Sequence, residues 1–293
     1  MGERLPPWVK VPLPGGGHYA TLKQRLRQGG LHTVCEEARC PNVAECWGGG
    51  TATFMILGKV CTRACRFCDV TSGKPELAPD PAEPAQVADA AAAMELRYVV
   101  ITSVDRDDLP DGGAGHFVRT VEAVRQRIPA VVVELLTPDF DLQREPLERV
   151  ARSGAQVLGQ NLETVERLTR TVRDRRSGYG KTLEALRLYR ELAPRALVKS
   201  SLLLGLGEAP DELDRALVDL RAAGVDWVTM GQYLRPTRKH LPVSRFVPPA
   251  EFEALASRAR ELGFPLVTAG PLVRSSYRAA EQEAQALLAA RAG

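Results

Sequence analysis

Six cysteines are the residues of this 293-residue chain most able to do chemistry, and their placement says which chemistry. They stand at 35, 40, 46, 61, 65 and 68, inside one window of 34 residues, and the 225 residues that follow hold none. A disulfide framework spreads its bridges over a small secreted chain, so clustered thiols in a chain of this size point to metal ligation or thiol catalysis. The downstream triplet, Cys61-Thr-Arg-Ala-Cys65-Arg-Phe-Cys68, has the spacing C-x3-C-x2-C. Three thiolates can hold three irons of a 4Fe–4S cube and leave the fourth iron open to a small molecule. A structural zinc site wants four closed ligands, usually in C-x2-C pairs, and no second pair is present. Zinc and a plain electron-transfer cluster are the competing readings. The upstream triplet, Cys35, Cys40 and Cys46, has the spacing C-x4-C-x5-C, which taken alone points to no metal. Beside a cluster loop it reads as a second iron–sulfur site; the alternative is a structural cluster or zinc knuckle stapling the N-terminal arm.

The elements that must position these thiols alternate along the chain. Residues 1–34 read as a Pro/Gly-rich arm with a short amphipathic helix around Tyr19–Gln28. Apolar, β-rich runs follow at 51–57, 98–103, 131–136, 156–159, 196–204, 227–230 and 265–268. Helical patterns lie between them near 84–96, 115–127, 144–153, 162–170, 180–192, 210–223 and 249–261. Strands alternating with helices of that length predict βα units on a parallel sheet, and continuous runs such as Val131–Leu136 suit strands buried on both faces. About six βα units follow the first strand, fewer than a full barrel. The expected fold is α/β, a partial (βα)6 barrel spanning 51–270 with extensions at 1–50 and 271–293. The C-x3-C-x2-C loop falls directly after the first strand, where such folds gather their chemistry.

Composition excludes other classes. Hydrophobic residues at 44% and charged residues at 26% are ordinary for a soluble globular chain. A net charge of +3 gives no electrostatic footprint for nucleic acid or a membrane surface, and 5% aromatics offer few stacking platforms. Met1 to Gly17 contains no apolar signal segment, and no apolar run is long enough to span a bilayer. A cytoplasmic protein without nucleic-acid or membrane partners is expected. The four histidines, His18, His32, His116 and His240, show no paired metal spacing.

The cysteine spacing, with aromatic Phe67 before its last member, is the pattern of radical S-adenosylmethionine enzymes. Longer strings are more specific. Leu31–Gly58, Thr102-Ser-Val-Asp-Arg-Asp-Asp-Leu-Pro-Asp-Gly-Gly113, Gln160-Asn-Leu-Glu-Thr-Val165, Gly231-Gln-Tyr-Leu-Arg-Pro-Thr237 and Gly270-Pro-Leu-Val-Arg-Ser-Ser-Tyr277 closely resemble the lipoyl synthase family. The resemblance runs from about residue 8 to 280. Gln160 stands where the family commonly has His, and Thr237 where it commonly has Ser; neither is a cluster ligand.

The resemblance implies two sulfurs replacing hydrogens at C6 and C8 of an octanoyl chain amide-linked to a lysine of a lipoyl carrier domain. The carriers would be 2-oxoacid dehydrogenase E2 subunits and the glycine cleavage H protein, and the electrons would come from a donor such as ferredoxin or flavodoxin. An unactivated C–H bond has no acidic proton for a side-chain base, so a cofactor radical must do the work. Cys61, Cys65 and Cys68 would hold the cluster that binds and reduces S-adenosylmethionine. Cys35, Cys40 and Cys46 would hold a second 4Fe–4S cluster, the sulfur source. A serine of Arg274-Ser-Ser-Tyr277 would ligate its fourth iron, Ser276 rather than Ser275, or the serines would simply cap a final helix near Tyr277. Phe67, Thr102, Ser103 and Asp105, Asn161 and Glu163, and Gly205 and Glu208 would meet S-adenosylmethionine; capping and loop turns are their alternative roles. Arg173–Arg176 and Arg235–His240 are basic candidates for carrier docking, or ordinary solvated loops.

Overall fold

The computed structural model describes residues 5–10, 32–33, 42, 46, 51–276 and 281–292. The expected helix at Tyr19–Gln28, together with Cys35, Cys40 and Tyr277, lies outside them. Seven parallel strands form the body of the fold: β2 (Thr51–Ile56), β5 (Tyr98–Ser103), β6 (Val132–Leu136), β7 (Val157–Gly159), β8 (Leu197–Leu204), β9 (Trp227–Gln232) and β10 (Leu266–Gly270). They pair in chain order, and β1 (His32–Thr33) adds antiparallel to β2 at one edge. The sheet is not closed: β1 and β10 end it on either side. Two short strands, β3 (Val60–Cys61) and β4 (Thr71–Ser72), pair separately and bracket the second cysteine triplet.

Helices cross over between successive strands: α1 (Glu83–Ala93), α2 (Ala114–Arg127), α3 (Arg144–Ala151), α4 (Glu166–Val172), α5 (Tyr179–Leu192), α6 (Pro210–Ala222) and α7 (Pro249–Glu261). Each turns an apolar stripe to the sheet. In α2 the buried residues are Ala114, His116, Phe117, Thr120, Val121 and Val124, one face of a 3.6-residue period. Alternation along the strands separates two cores. Val99 and Ile101 pack with the helices, whereas Tyr98 and Val100 join Val157, Leu197, Trp227 and Leu266 inside the barrel. Tyr98, Val157, Leu197, Trp227 and Leu266 lie at the strand starts, and Ala284 of α8 (Glu281–Ala292) packs into the same cluster. The C-terminal helix therefore covers the N-terminal end of the barrel, held there by Arg291 on Asp226 at 2.6 Å. The opposite, C-terminal strand ends are left for the site.

One helix starts later than the periodicity predicts. Residues 162–165 stay outside the helix: Glu163 bridges to Leu202 and takes a φ of 69°, and α4 begins only at Glu166. A non-glycine residue in the left-handed region is uncommon, and here it delays the start of the helix. Among the described residues no helix is long and apolar enough to cross a membrane.

Candidate active site

At the C-terminal ends of the strands the chain encloses a cavity of about 490 Å³, within the size range of small-molecule sites. Cys61, Cys65 and Cys68 all line it. The turn that delivers them is sharp. Leu57 and Gly58 leave β2 with φ of 70° and 89°, and the Leu57 N–H is held at 2.9 Å by the Glu83 carboxylate, itself bound to His116. The loop is then pinned from several sides. Thr62 N–H donates to Asp105 O, Arg66 N–H to Val172 O, Ala64 N–H to the Asp174 carboxylate, and Leu241 N–H to Arg66 O.

The sulfurs sit in a field of backbone donors. Arg63 N–H and Asp105 N–H lie 3.4 and 3.3 Å from Cys61 Sγ, and Asp174 N–H lies 3.3 Å from Cys65 Sγ. Such donors favour sulfur carrying negative charge. Burial alone works against the free thiolates. It pushes Cys61 up to about 11 and Cys68 up to about 12, and raises Cys65, so ionisation must come with a cation. Among the described residues no three His, Cys, Asp or Glu side chains converge on a single metal ion.

Orphaned polar atoms gather in the same place. Of the six buried side-chain polar atoms without a hydrogen bond among the described residues, four belong to cavity-lining Ser103, Asp105, Gln160 and Arg173. Buried orphans are costly, so their concentration marks a space that a polar ligand completes. Burial pushes Asp105 up to about 6 despite the pull of Arg63, and burial likewise raises Glu163.

Most of the residues singled out from sequence meet here. Phe67, Thr102, Ser103, Asp105, Asn161 and Glu163 line the cavity with the three cysteines. Gly205 and Glu208 do not. The Glu208 carboxylate accepts the N–H groups of Gly205 and Leu206 at 2.6 and 2.9 Å, closing the turn into α6. Gly205, at φ 95°, is glycine because a Cβ would meet Gln232 Nε2 and Arg245 O at 2.3 and 2.4 Å. Their structural role is the one observed. Of the C-terminal serines, Ser275 lines the cavity and Ser276 is half-buried outside its lining. Cys46 is buried, its N–H bonded to Asn42 O.

Several contributors were not visible as such in the sequence. Arg173 lines the cavity, and Arg176 grips Asp174, Asp107 and the Thr62 carbonyl, so the 173–176 run clamps the cysteine loop. His240, on the second basic run, bonds the Cys68 carbonyl through Nε2 at 3.0 Å and Thr237 Oγ1 through Nδ1 at 2.9 Å. Arg63, between two of the cysteines, is buried against Asp139. A charged run reads as solvated surface unless the partner oxygen, over a hundred residues away in the case of Arg176 and the Thr62 carbonyl, is known to lie beside it.

Comparison with known proteins agrees with this geometry. The radical SAM superfamily profile matches residues 55–220, and that of the N-terminal domain of lipoyl synthase matches residues 2–40. Lipoyl synthase of Thermus thermophilus is 57% identical over 95% of this chain and 86% of its own length. The chain belongs to the lipoyl synthase family. The lipoyl synthase of an Anaeromyxobacter species is 52% identical over 99% of both chains, and the mitochondrial lipoyl synthase of Oryza sativa subsp. indica is 50% identical over 97% of this chain and 76% of its own. Among solved structures, Streptococcus suis SuiB bound to its precursor peptide SuiA aligns with a TM-score of 0.58 at 11% identity, covering 86% of this chain and 52% of that one. HydG, a maturase of the FeFe-hydrogenase, aligns with a TM-score of 0.58 at 13% identity, covering 85% and 65%. These two likenesses concern the fold. A lipoyl synthase is a radical SAM sulfurtransferase, and the radical SAM superfamily implies one 4Fe–4S cluster and S-adenosylmethionine.

Proposed function

We propose that this lipoyl synthase family member inserts sulfur at C6 and C8 of an octanoyl chain carried on a lysine of a lipoyl carrier domain. The observation that carries the reading is the set of three half-buried thiols around a cavity that also holds four buried polar atoms without a hydrogen bond among the described residues. Cys61, Cys65 and Cys68 would hold the cluster. When bound, the cluster with S-adenosylmethionine supplies one-electron chemistry able to take hydrogen from an unactivated C–H bond. The remaining residues bind and orient. Ser103 and Arg173 offer polar atoms without a hydrogen bond, and Asp105 a carboxylate paired at 3.3 Å with Arg63, suited to the amine and carboxylate of the methionyl part. Asn161, whose amide donates to Glu163 at 3.0 Å, presents a polar pair suited to ribose hydroxyls. Thr102 lines the same wall with its hydroxyl bonded to Leu136 O, and Phe67 adds an apolar surface.

Residues 1–50 and 271–293 would form two extensions to a radical SAM barrel at 51–270. Cys35, Cys40, Cys46 and Ser276 would hold a second 4Fe–4S cluster that gives up its sulfur. The family relationship supports that set. So does the hydrogen bond from Asn42, which lies between two of these cysteines, to Leu272, just before the serines. The substrates would be octanoylated E2 subunits and H protein, with a ferredoxin or flavodoxin as donor and the cytoplasm as the setting.

The test is iron and sulfide quantification on anaerobically purified protein, followed by mass spectrometry of a carrier peptide with an octanoylated lysine. About eight irons per chain and a product with two added sulfurs are expected. About four irons would remove the second cluster as sulfur source. An unmodified peptide would remove the substrate.

A further inference from the structure

Arg63 stands between Cys61 and Cys65, and its side chain is 4% exposed. Nη1 and Nη2 donate side by side to the Asp139 carboxylate at 2.8 and 2.7 Å. Nη2 also reaches Asp107 at 2.8 Å, and Nε lies 3.3 Å from Asp105. Asp105 and Asp107 follow β5, and Asp139 follows β6, so one side chain ties the cysteine loop to two neighbouring strand ends. A guanidinium is removed from water at a profit only when its donors meet well-aligned carboxylates, and the two-pronged Asp139 contact is that geometry. Against the opposing effect of burial, these bonds raise Arg63 above its ordinary value and hold Asp139 below its own.

The backbone behind Asp139 is an independent observation. Phe140, Asp141 and Leu142 take φ of 45°, 53° and 56°, three successive non-glycine residues in the left-handed region. Such strain persists only where the surroundings enforce it. Here Phe140 is locked edge-to-face on Phe117 at 6.2 Å, and Leu142 N–H returns to Asp139 O at 2.8 Å. The strained turn places the Asp139 carboxylate under the cysteine loop. Main-chain atoms of Arg63 complete the arrangement: its N–H faces Cys61 Sγ at 3.4 Å, and its carbonyl accepts from Ser72 Oγ at 3.0 Å.

We propose that Arg63, seated on Asp139, is the positioning residue that fixes Cys61 and Cys65 relative to one another and so keeps the cluster in the loop. It deepens the reading of Cys61, Cys65 and Cys68 as cluster ligands and rests on it. Lysine keeps the charge but not the planar fork, so Arg63→Lys removes the two-pronged Asp139 contact together with the side contacts to Asp105 and Asp107, and Asp139→Asn weakens the Asp139 contact from the other side.

The experiment uses the full chain, anaerobically loaded with iron and sulfide. Hydrogen exchange of the amides at 60–72 and the rate of iron release to a chelator are compared for wild type, Arg63→Lys and Asp139→Asn. Both variants should exchange and release iron about tenfold faster, with β9 and α6 amides unchanged. Wild-type rates in the loop would overturn the proposal. So would faster exchange spread evenly over the chain, because Arg63 would then serve the whole fold. Iron content of Cys65→Ala separates the two levels. Undiminished iron there sinks the ligand reading itself, whereas lost iron with wild-type behaviour of Arg63→Lys sinks only the positioning role.

Discussion

The side-chain amide of Asn42 donates to the carbonyl of Leu272 at 2.6 Å, across 230 residues of sequence. Asn42 lies between the second and third cysteines of the upstream triplet, and Leu272 lies just before Arg274 and the two serines. The contact brings the two ends of the chain together beside the open strand ends. The next residue is held as tightly: Val273 N–H donates to Gly270 O, and its own carbonyl rests against Gly231 of β9.

That seat requires a glycine. A Cβ at Gly231 would stand 2.0 Å from the Val273 carbonyl oxygen, a backbone atom that cannot rotate away. Gly231→Ala is therefore expected to displace the 271–276 segment and to cost about 1–3 kcal/mol in denaturant unfolding. Lipoyl product should fall further than S-adenosylmethionine cleavage does. Equal loss of both would show that the segment serves the whole cavity rather than sulfur transfer.

The two triplets should separate on substitution. Cys65→Ala is expected to abolish 5′-deoxyadenosine formation, since one of the three proposed cluster ligands is gone. Cys40→Ala should still form 5′-deoxyadenosine yet give no thiolated product. Chromatography of the nucleoside and mass spectrometry of the carrier peptide read the two steps; sulfur in the product of Cys40→Ala would remove the upstream triplet as donor.

The serine ligand is expected to be weak by design. Serine is a harder donor than thiolate and is normally protonated, so its bond to iron breaks more easily. Ser276→Cys should keep full iron content while lipoyl product declines, whereas Ser275→Ala, altering a cavity-lining hydroxyl, should act chiefly on S-adenosylmethionine binding. Normal turnover by Ser276→Cys would rule out a labile ligand at this position. If Ser276 only caps a helix, Ser276→Ala costs about 1 kcal/mol and leaves sulfur transfer intact.

Inside the barrel, Lys199 Nζ lies 2.8 Å from the Glu134 carboxylate, 3.6 Å above the Trp227 ring, and Tyr98 OH donates to the same carboxylate at 2.7 Å. Both charged groups are almost wholly buried. Glu134→Ala leaves the ammonium without its carboxylate, and a loss of about 3–5 kcal/mol in chemical denaturation is expected. A loss below about 1 kcal/mol would mean that water reaches this layer.

The alternation of apolar runs and helical periods determined the parallel sheet and its crossovers, because burial on both faces writes a continuous signal into local sequence. Thus 210–223 was expected helical and α6 spans Pro210–Ala222. Spacing likewise grouped Cys61, Cys65 and Cys68, which line one cavity, since residues within one loop are close in sequence as well as in space. The tertiary structure decided what the charged residues do. Arg63, Arg176 and His240 look like surface until Asp139, Asp107 and the Cys68 carbonyl are brought beside them from 76, 69 and 172 residues away. Gly205 and Glu208 resembled ligand contacts and stand outside the cavity lining, closing a turn, because the same residue types serve both uses and only the atoms opposite them distinguish the two. Local physics sets the periods of a chain, whereas the pairing of distant charges and the conformation of a strained turn exist only once the strands have been laid side by side.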